Sequence, residues 1–360
     1  MDFRQGSTHF KYFNNRNQKN YNQIMIKNNQ FYIENLQSVV FLGCSKVLGK
    51  LVDVNTKIGI KSLIITSSDQ AKNIDNGLKF KIFNKIDINF KKYIKKNTIT
   101  SKTLFVSLGA RYIFKEKDID NFFLNNLVNF RSTRLPLDGG SALYSWQIMR
   151  EDRIDNQLVH LIDKTIDNGP IIDNYMSIYP RECKIPLDFQ NYKFNSLINF
   201  YKIFIKKIYL KNKISIKPQQ SYLGRYNPRI NTETDGLIDW SMNSYDLYNF
   251  INAFDEPYKG ASTYLNNGNY GKLYLKSVHL HGGDSSNHPY MSGIVSRHDK
   301  KWLVVSTKSK HMLLIEKIIN KKGENIINKI KRGDRFFSPI NEIDSSKRKK
   351  TIFNASGLKK

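Results

Sequence analysis

Cysteine is almost absent from this 360-residue chain: Cys44 and Cys183 are the two, with no C-x-x-C and no Cys/His cluster at ligand spacing. That excludes a disulfide framework and a structural zinc site, so both are expected as reduced thiols and no metal is expected. No uncharged apolar run reaches the ~18 residues of a membrane span. The N-terminus, Met1-Asp2-Phe3-Arg4-Gln5-Gly6-Ser7, lacks the apolar core of a secretory leader, which points to the cytoplasm. Carboxylates are scarce as well, 31 Asp and Glu against 58 Lys and Arg, for a formal net charge of +27. A polyanionic partner accounts for such an excess, and so does drift toward Lys, Asn and Ile under AT-rich codon usage. The basic residues are dispersed, apart from Lys347-Arg348-Lys349-Lys350 and Lys359-Lys360 at the tail. The dinucleotide fingerprint G-x-G-x-x-G is missing too, since the first glycine turn holds Gly43 and then only Gly49, which argues against NAD or FAD.

What is present is 40% apolar residues, enough for one large domain or two ordinary ones. Residues 1–36 are polar, dense in Asn, Gln and Lys, and are expected to be a disordered extension. Residues 37–213 read as an α/β domain with a doubly wound, mostly parallel sheet. Val39-Val40-Phe41-Leu42 is a buried strand, a helix follows from Lys46 to Lys57, and Ser62-Leu63-Ile64-Ile65 is the next strand. Thr103 to Leu108 forms another strand, ending at Gly109, where a ligand crevice opens in such sheets. Pro186 to Tyr209 carries Leu197, Phe200, Ile203, Phe204 and Ile208 at helical spacing and closes the domain. Residues 214–229, with Pro218, Gly224 and Pro228, read as a linker. Residues 230–338 alternate short strands with Gly/Asn turns around one helix, the pattern of a small β-barrel of OB-like type. Residues 339–360 form a basic tail. His279, His281 and His288 lie in a Gly/Ser/Asn-rich stretch with only Asp284 nearby, which favours barrel loop over metal site.

The segment Asn129-Phe130-Arg131-Ser132-Thr133-Arg134-Leu135-Pro136, then Gly139-Gly140, then Asp163-Lys164-Thr165-Ile166-Asp167-Asn168-Gly169-Pro170-Ile171 is not generic. On a strand, residues two apart share a face, so Asn129, Arg131 and Thr133 point together into a crevice. Asp167 meets them from a later loop. Singly, Asn129 and Asp167 read equally as turn formers. Together and in this order they resemble the folate-dependent formyltransferases, which carry Asn-x-His-x-Ser/Thr-x-Leu-Pro, a glycine-rich loop and Asp-x-x-x-Asp-x-Gly-Pro-Ile. Tyr226-Asn227-Pro228-Arg229-Ile230, Ile238-Asp239-Trp240 and Phe250 to Phe254 are similar to the opening of that family's C-terminal barrel, so the resemblance spans about residues 38–338.

The resemblance implies transfer of a formyl group from 10-formyltetrahydrofolate to a primary amine, with Asn129, Arg131 and Asp167 at the catalytic positions. Such a transfer passes through a tetrahedral intermediate, needing a donor for the oxyanion and a route for the amine proton. The pterin would be held by backbone groups of Leu108, Gly109, Arg111, Tyr112, Ile113 and Phe114 and of Ile162, Asp163 and Thr165; core packing accounts for Ile113 and Phe114 equally well. Thr133, Gly139 and Gly140 would face the acceptor. The look of residues 133–146 and 253–260 is closer to sugar N-formyltransferases than to the methionyl-tRNA enzyme. That implies a nucleotide-linked amino sugar as acceptor, with tRNA as the alternative and a homodimer among the partners such barrels support. The family's middle residue is His, and here it is Arg131. A guanidinium stays charged at working pH and cannot be a general base. Three readings stay open: Arg131 as a fixed cation with Asp167 taking the proton, His160 as a stand-in base, or an inert Arg131–Asp167 pair in a binding protein without turnover. A nucleic-acid-binding protein built on the barrel and tail is a fourth.

Overall fold

The computed structural model describes residues 29–349 other than 267, 284 and 285, together with residues 353–354 and 357–358. A short strand β1 (Gln30–Phe31) precedes β2 (Ser38–Gly43), the helix α1 (Leu48–Lys57), β3 (Lys61–Thr66) and β4 (Lys81–Ile82). Helix α2 (Ile88–Asn97) leads to β5 (Thr103–Leu108), and α3 (Glu116–Asn121) leads to β6 (Leu127–Arg131). After β7 (Asp138–Gly140) and α4 (Leu143–Met149), β8 (Ile154–Leu161) and β9 (Ile171–Ile178) form a hairpin, and the long α5 (Pro186–Tyr209) follows. The seven-stranded sheet has the order β4-β3-β2-β5-β6-β8-β9. Its pairs are parallel from β4 to β6 and antiparallel across β6–β8 and β8–β9.

Strand β2 is apolar throughout because both faces are covered. Val39 and Phe41 pack with α1 and α5, while Val40 and Leu42 pack on the other face with Phe90, Phe105 and Phe123. Helix α5 buries Lys193, Leu197, Phe200, Tyr201, Phe204 and Ile208, one stripe at helical spacing. Ile203 is exposed, because it lies about 120° around the helix from Leu197.

Three boundaries differ from the sequence expectation. Residues 29–36 belong to the first domain: Phe31, Ile33 and Leu36 are buried in its core, and β1 pairs antiparallel with β10 (Ile214–Ser215). Residues 1–28 of the expected extension lie outside the described residues. The expected linker, 214–229, is strapped to that domain, since β11 (Arg225–Asn227) pairs parallel with β7. Gly140 permits this approach: its φ is +98°, and a Cβ there would lie 2.1 Å from the Asn227 carbonyl oxygen.

The second domain packs α6 (Ser244–Ala253) on a curled half-barrel of antiparallel strands. These are β12 (Ala261–Leu265), β13 (Leu273–His281), β14 (Val295–His298), β15 (Leu303–Val305), β16 (Met312–Ile319) and β17 (Phe336–Phe337), in the order β14-β15-β16-β13-β12-β17. The third boundary difference is in the tail, where α7 (Ile340–Arg348) is a helix that docks through Tyr264 to Glu342 and Lys347 to Asp239. Its basic residues sit in the last turn, where they complement the helix dipole. His279 and His281 lie on β13 rather than in a loop, and His279 faces Glu316 at 3.6 Å; Asp284 lies outside the described residues. Among the described residues no group of three or more His, Cys, Asp and Glu side chains is placed to hold a metal ion, and no helix is long and apolar enough to cross a membrane.

Candidate active site

The carboxyl edge of the parallel strands is where a doubly wound sheet opens to ligands, and β6 ends there at Arg131. Residue Asn129 sits opposite His160 on β8 in the sheet register. Its side-chain amide donates to His160 Nε2 at 3.2 Å and lies 3.4 Å from Asp167 Oδ1. Arg131 forms an ion pair with the other carboxylate oxygen, Asp167 Oδ2. Asn129 and Arg131 on β6 therefore converge with Asp167, which lies 38 and 36 residues later, and His160 joins them.

His160 is a neutral, oriented imidazole. Its Nδ1 lies 2.7 Å from the Leu161 carbonyl oxygen, which can only accept, so Nδ1 carries the proton and Nε2 faces Asn129 with a lone pair. Burial pushes its pKa below the ordinary histidine value, against the raising influence of the Leu161 hydrogen bond and Asp167. Asp167 is held in a left-handed conformation, φ +56°. Its loop is closed by Gly169, where a Cβ would lie 1.9 Å from the Leu161 carbonyl oxygen. Gln219, from the expected linker, donates to the carbonyls of Asp167 at 3.1 Å and Gly169 at 2.7 Å. Sequence reasoning missed Gln219, because nothing local marks a glutamine whose partners are backbone groups of another segment.

Arg131 faces a cleft of about 780 Å³ between the two domains, shared with Thr133, Gly140, Lys193, Arg229 and Lys259. Thr133 differs from expectation. Strand β6 stops at Arg131, and the buried Thr133 hydroxyl donates to the Asp138 carbonyl at 2.6 Å, fixing the turn rather than pointing freely into the crevice. Gly139 and Gly140 lie on β7 against the strap β11. Asp138, 2% exposed, binds Arg134, Arg150 and Arg225. Burial pushes its carboxyl up, but hydrogen bonds from Arg225 and Arg134 outweigh this and hold it below the usual carboxylate range.

The loops after β5 and β8 present the other expected contacts. Leu108 is buried, Gly109 has φ +62°, and the Gly109 carbonyl accepts from Gln70 at 2.9 Å. Arg111 pairs with Asp69, and Tyr112 donates to the Phe83 carbonyl at 2.7 Å. Phe114 and Ile162 pack on the second face of the sheet. Asp163 accepts from the Thr165 amide at 2.8 Å and hydroxyl at 2.7 Å. Ile113 and the neighbouring loop's Ile166 are 89% and 93% exposed, so core packing does not account for Ile113.

A Rossmann-like sheet bears an amide, a carboxylate and a cation at its carboxyl edge and is joined across a cleft to an antiparallel half-barrel, the arrangement that the resemblance in the sequence implies. Residues 231–332 match the family model described as formyl transferase, C-terminal domain. The chain is 27% identical over 241 residues to the bifunctional polymyxin resistance protein ArnA of Wigglesworthia glossinidia brevipalpis, covering 62% of this chain and 34% of that protein. It is 24% identical over 197 residues to the methionyl-tRNA formyltransferase of Clostridium perfringens strain 13, covering 53% of this chain and 58% of that one. The matches thus span between a third and three fifths of these relatives' lengths. Among solved structures, the N-formyltransferase of Helicobacter canadensis, in complex with folinic acid and dTDP-3-aminofucose, superposes with a TM-score of 0.59 at 17% identity, covering 78% of this chain and 99% of that one. WlaRD, a sugar 3N-formyl transferase solved with dTDP and 5-N-formyl-THF, gives a TM-score of 0.57 at 18% identity over 80% of this chain and 99% of that one. These two likenesses establish the fold. Residues 231–332 thus match a formyl transferase C-terminal domain, and the chain as a whole is similar to folate-dependent formyltransferases in sequence and in fold.

Proposed function

We propose that the protein transfers a formyl group from 10-formyltetrahydrofolate to a primary amine carried on a nucleotide-linked sugar. The observation that carries this reading is the Asn129–Arg131–Asp167 cluster, whose Arg131 lines a cleft between the domains together with Lys193, Arg229 and Lys259. The ligands named for the two solved neighbours, a folate derivative with dTDP or a dTDP-amino sugar, support both the donor and the acceptor class.

The donor fits the residues present. The bare Ile113 and Ile166 side chains offer apolar surface beside backbone groups of 108–114 and 162–165, which suits a flat heterocycle with polar edges. Asn129 supplies an N–H to the developing oxyanion, using the donor only loosely engaged by Asp167 at 3.4 Å. Arg131 adds a fixed positive charge there, its side chain 34% exposed on the cleft wall. Asp167 holds Arg131 and Asn129 in place. The acceptor's diphosphate suits Arg229 and Lys259 on the opposite wall. A second reading, a folate- or sugar-nucleotide-binding protein without turnover, is favoured by the ion pair that occupies Asp167.

Calorimetric binding of 5-formyltetrahydrofolate, run beside turnover of 10-formyltetrahydrofolate with nucleotide-linked amino sugars and with aminoacylated initiator tRNA, separates these readings. Turnover on a sugar acceptor that falls about 100-fold or more in Asn129→Ala is expected. Turnover on tRNA alone overturns the acceptor class. Binding without turnover that appears only in Arg131→His establishes the binding-protein reading instead.

A further inference from the structure

An attacking amine must give up a proton, and the groups around Arg131 leave that duty unassigned. Arg131 cannot accept a proton. Asp167 is ion-paired to it, and the His160 lone pair is engaged by Asn129 beneath the cleft floor. Of the titratable groups that line the cleft, Glu233 is ion-paired to Lys259, burial keeps Tyr144 and Tyr258 protonated, and Lys193 is the one beside Arg131. Lys193, in the first third of α5, is 2% exposed yet lines the same cleft as Arg131. Its Nζ donates to the carbonyl of Ser132, the residue following Arg131, and lies 5.1 Å from the centre of the Tyr144 ring. The helix stripe it occupies continues through Ser196, which donates to the buried Asp155 at 2.6 Å, and then through Leu197, Phe200 and Tyr201. A lysine there is costly unless its charge is dispensable or used.

We propose that Lys193, in its neutral form, accepts the proton of the acceptor amine. This rests on the formyl-transfer reading above. The step balances as follows. The acceptor ammonium passes one proton to the Lys193 amine. The freed amine lone pair forms the new C–N bond at the formyl carbon, and the carbonyl π pair moves to oxygen. On collapse the C–N10 bond breaks, N10 takes the second amine proton, and the Lys193 ammonium returns its proton to solvent. The surroundings suit this use. Burial pushes Lys193 down to about 7, with Arg131 on β6 and Arg134 in the next turn pushing the same way; Asp155 on β8 and Asp138 on β7 oppose them. Tyr144 on α4 covers the other side and stays protonated in its own buried setting.

The test is the pH profile of kcat/KM for the full chain and for Lys193→Met and Lys193→Arg, with 5-formyltetrahydrofolate affinity measured beside it. The unmutated chain is expected to rise to a plateau above pH ~7, as a base with that pKa requires. Both variants are expected to lose about 100-fold at pH 7, with the rise displaced to the acceptor amine's own pKa and folate affinity unchanged. Lys193→Arg keeps the cation and a donor to Ser132, so it rescues a structural role and not a proton-accepting one; it also carries the test if Lys193→Met does not fold. Wild-type rate and profile in Lys193→Arg overturn the proposal while leaving formyl transfer standing. Absence of turnover in the unmutated chain, with folate binding intact, overturns both.

Discussion

Replacing Asp138 by alanine tests whether the cleft wall is held by charge. The carboxylate accepts from Arg134 Nε at 2.8 Å and Arg225 Nε at 2.9 Å and meets Arg150 at 3.4 Å, while the side chain is 1% exposed. The three arginines do not lose equally. Arg225 is 54% exposed and rehydrates, so its share is below about 1 kcal/mol. Arg150 keeps the Asn227 side chain at 2.9 Å. Arg134 keeps Asp152 but loses a charge-assisted hydrogen bond in a site where its side chain is 19% exposed, worth about 1.5–3 kcal/mol. The sum is about 3 kcal/mol, or a shift of roughly 100-fold in the folding equilibrium of the first domain. Asp138→Asn, which keeps one acceptor oxygen, is expected to lose about half of that. Urea denaturation at pH 7 reads both. The same carboxyl has a folded pKa below its unfolded value, so its contribution is complete above the unfolded value of about 3.9 and fades as pH falls from there through the lower folded pKa. A loss under 1 kcal/mol in Asp138→Ala at pH 7 refutes the reasoning, because it means the arginines find equal partners elsewhere.

Three further outcomes are expected. Gln219→Ala removes both bonds that clamp the Asp167 loop and is expected to lower kcat several-fold while costing about 1–2 kcal/mol of stability, whereas an unchanged kcat refutes the clamp. Phe31→Ala opens a hole in the first core and is expected to cost about 3 kcal/mol in the same urea assay, whereas a neutral result returns residues 29–36 to a loose extension. His160 has a folded pKa below its unfolded value, so below about 6.5 the unfolded chain takes a proton that the folded chain refuses, and stability falls with pH until the lower folded pKa is reached; the drop between pH 7.5 and 5.5 is expected to shrink in His160→Gln, and an equal drop refutes it.

What could be read from the sequence was what repeats locally. Val39 to Leu42 and Thr103 to Leu108 are continuous apolar runs because their strands are covered on both faces, and Pro186 to Tyr209 matches its helix to the residue. The straps β1–β10 and β7–β11 were illegible, since each has only two or three residues and pairs with a partner remote in sequence. The site divides the same way. Asn129 and Asp167 stand out through motif order, and the His160 pairing follows from sheet register. Gln219 acts through backbone acceptors that no pattern encodes. Lys193 did leave a trace: it stands four residues before Leu197 and seven before Phe200, so helical spacing alone puts a lysine on the buried stripe.

Arg131, at the position where the pattern that the sequence resembles has histidine, separates two duties that one imidazole can combine, stabilising negative charge and carrying a proton. A guanidinium keeps the first at every working pH and cannot perform the second. An inert structural ion pair would be closed, with both partners saturated and shielded. The pair here is open: the Arg131 side chain is 34% exposed and faces the cleft, while Asp167 Oδ1 has longer contacts, 3.4 Å to Asn129 and 3.8 Å to His160. For the formyl transfer proposed above, a cluster in this state supplies the positive charge and lacks a group that changes charge near neutrality. The cleft wall supplies one in Lys193, held next to Arg131 through Ser132. That placement gives the catalytic and non-catalytic readings a second point of divergence beside Arg131, the ionisation of a residue outside the motif on which the resemblance rests.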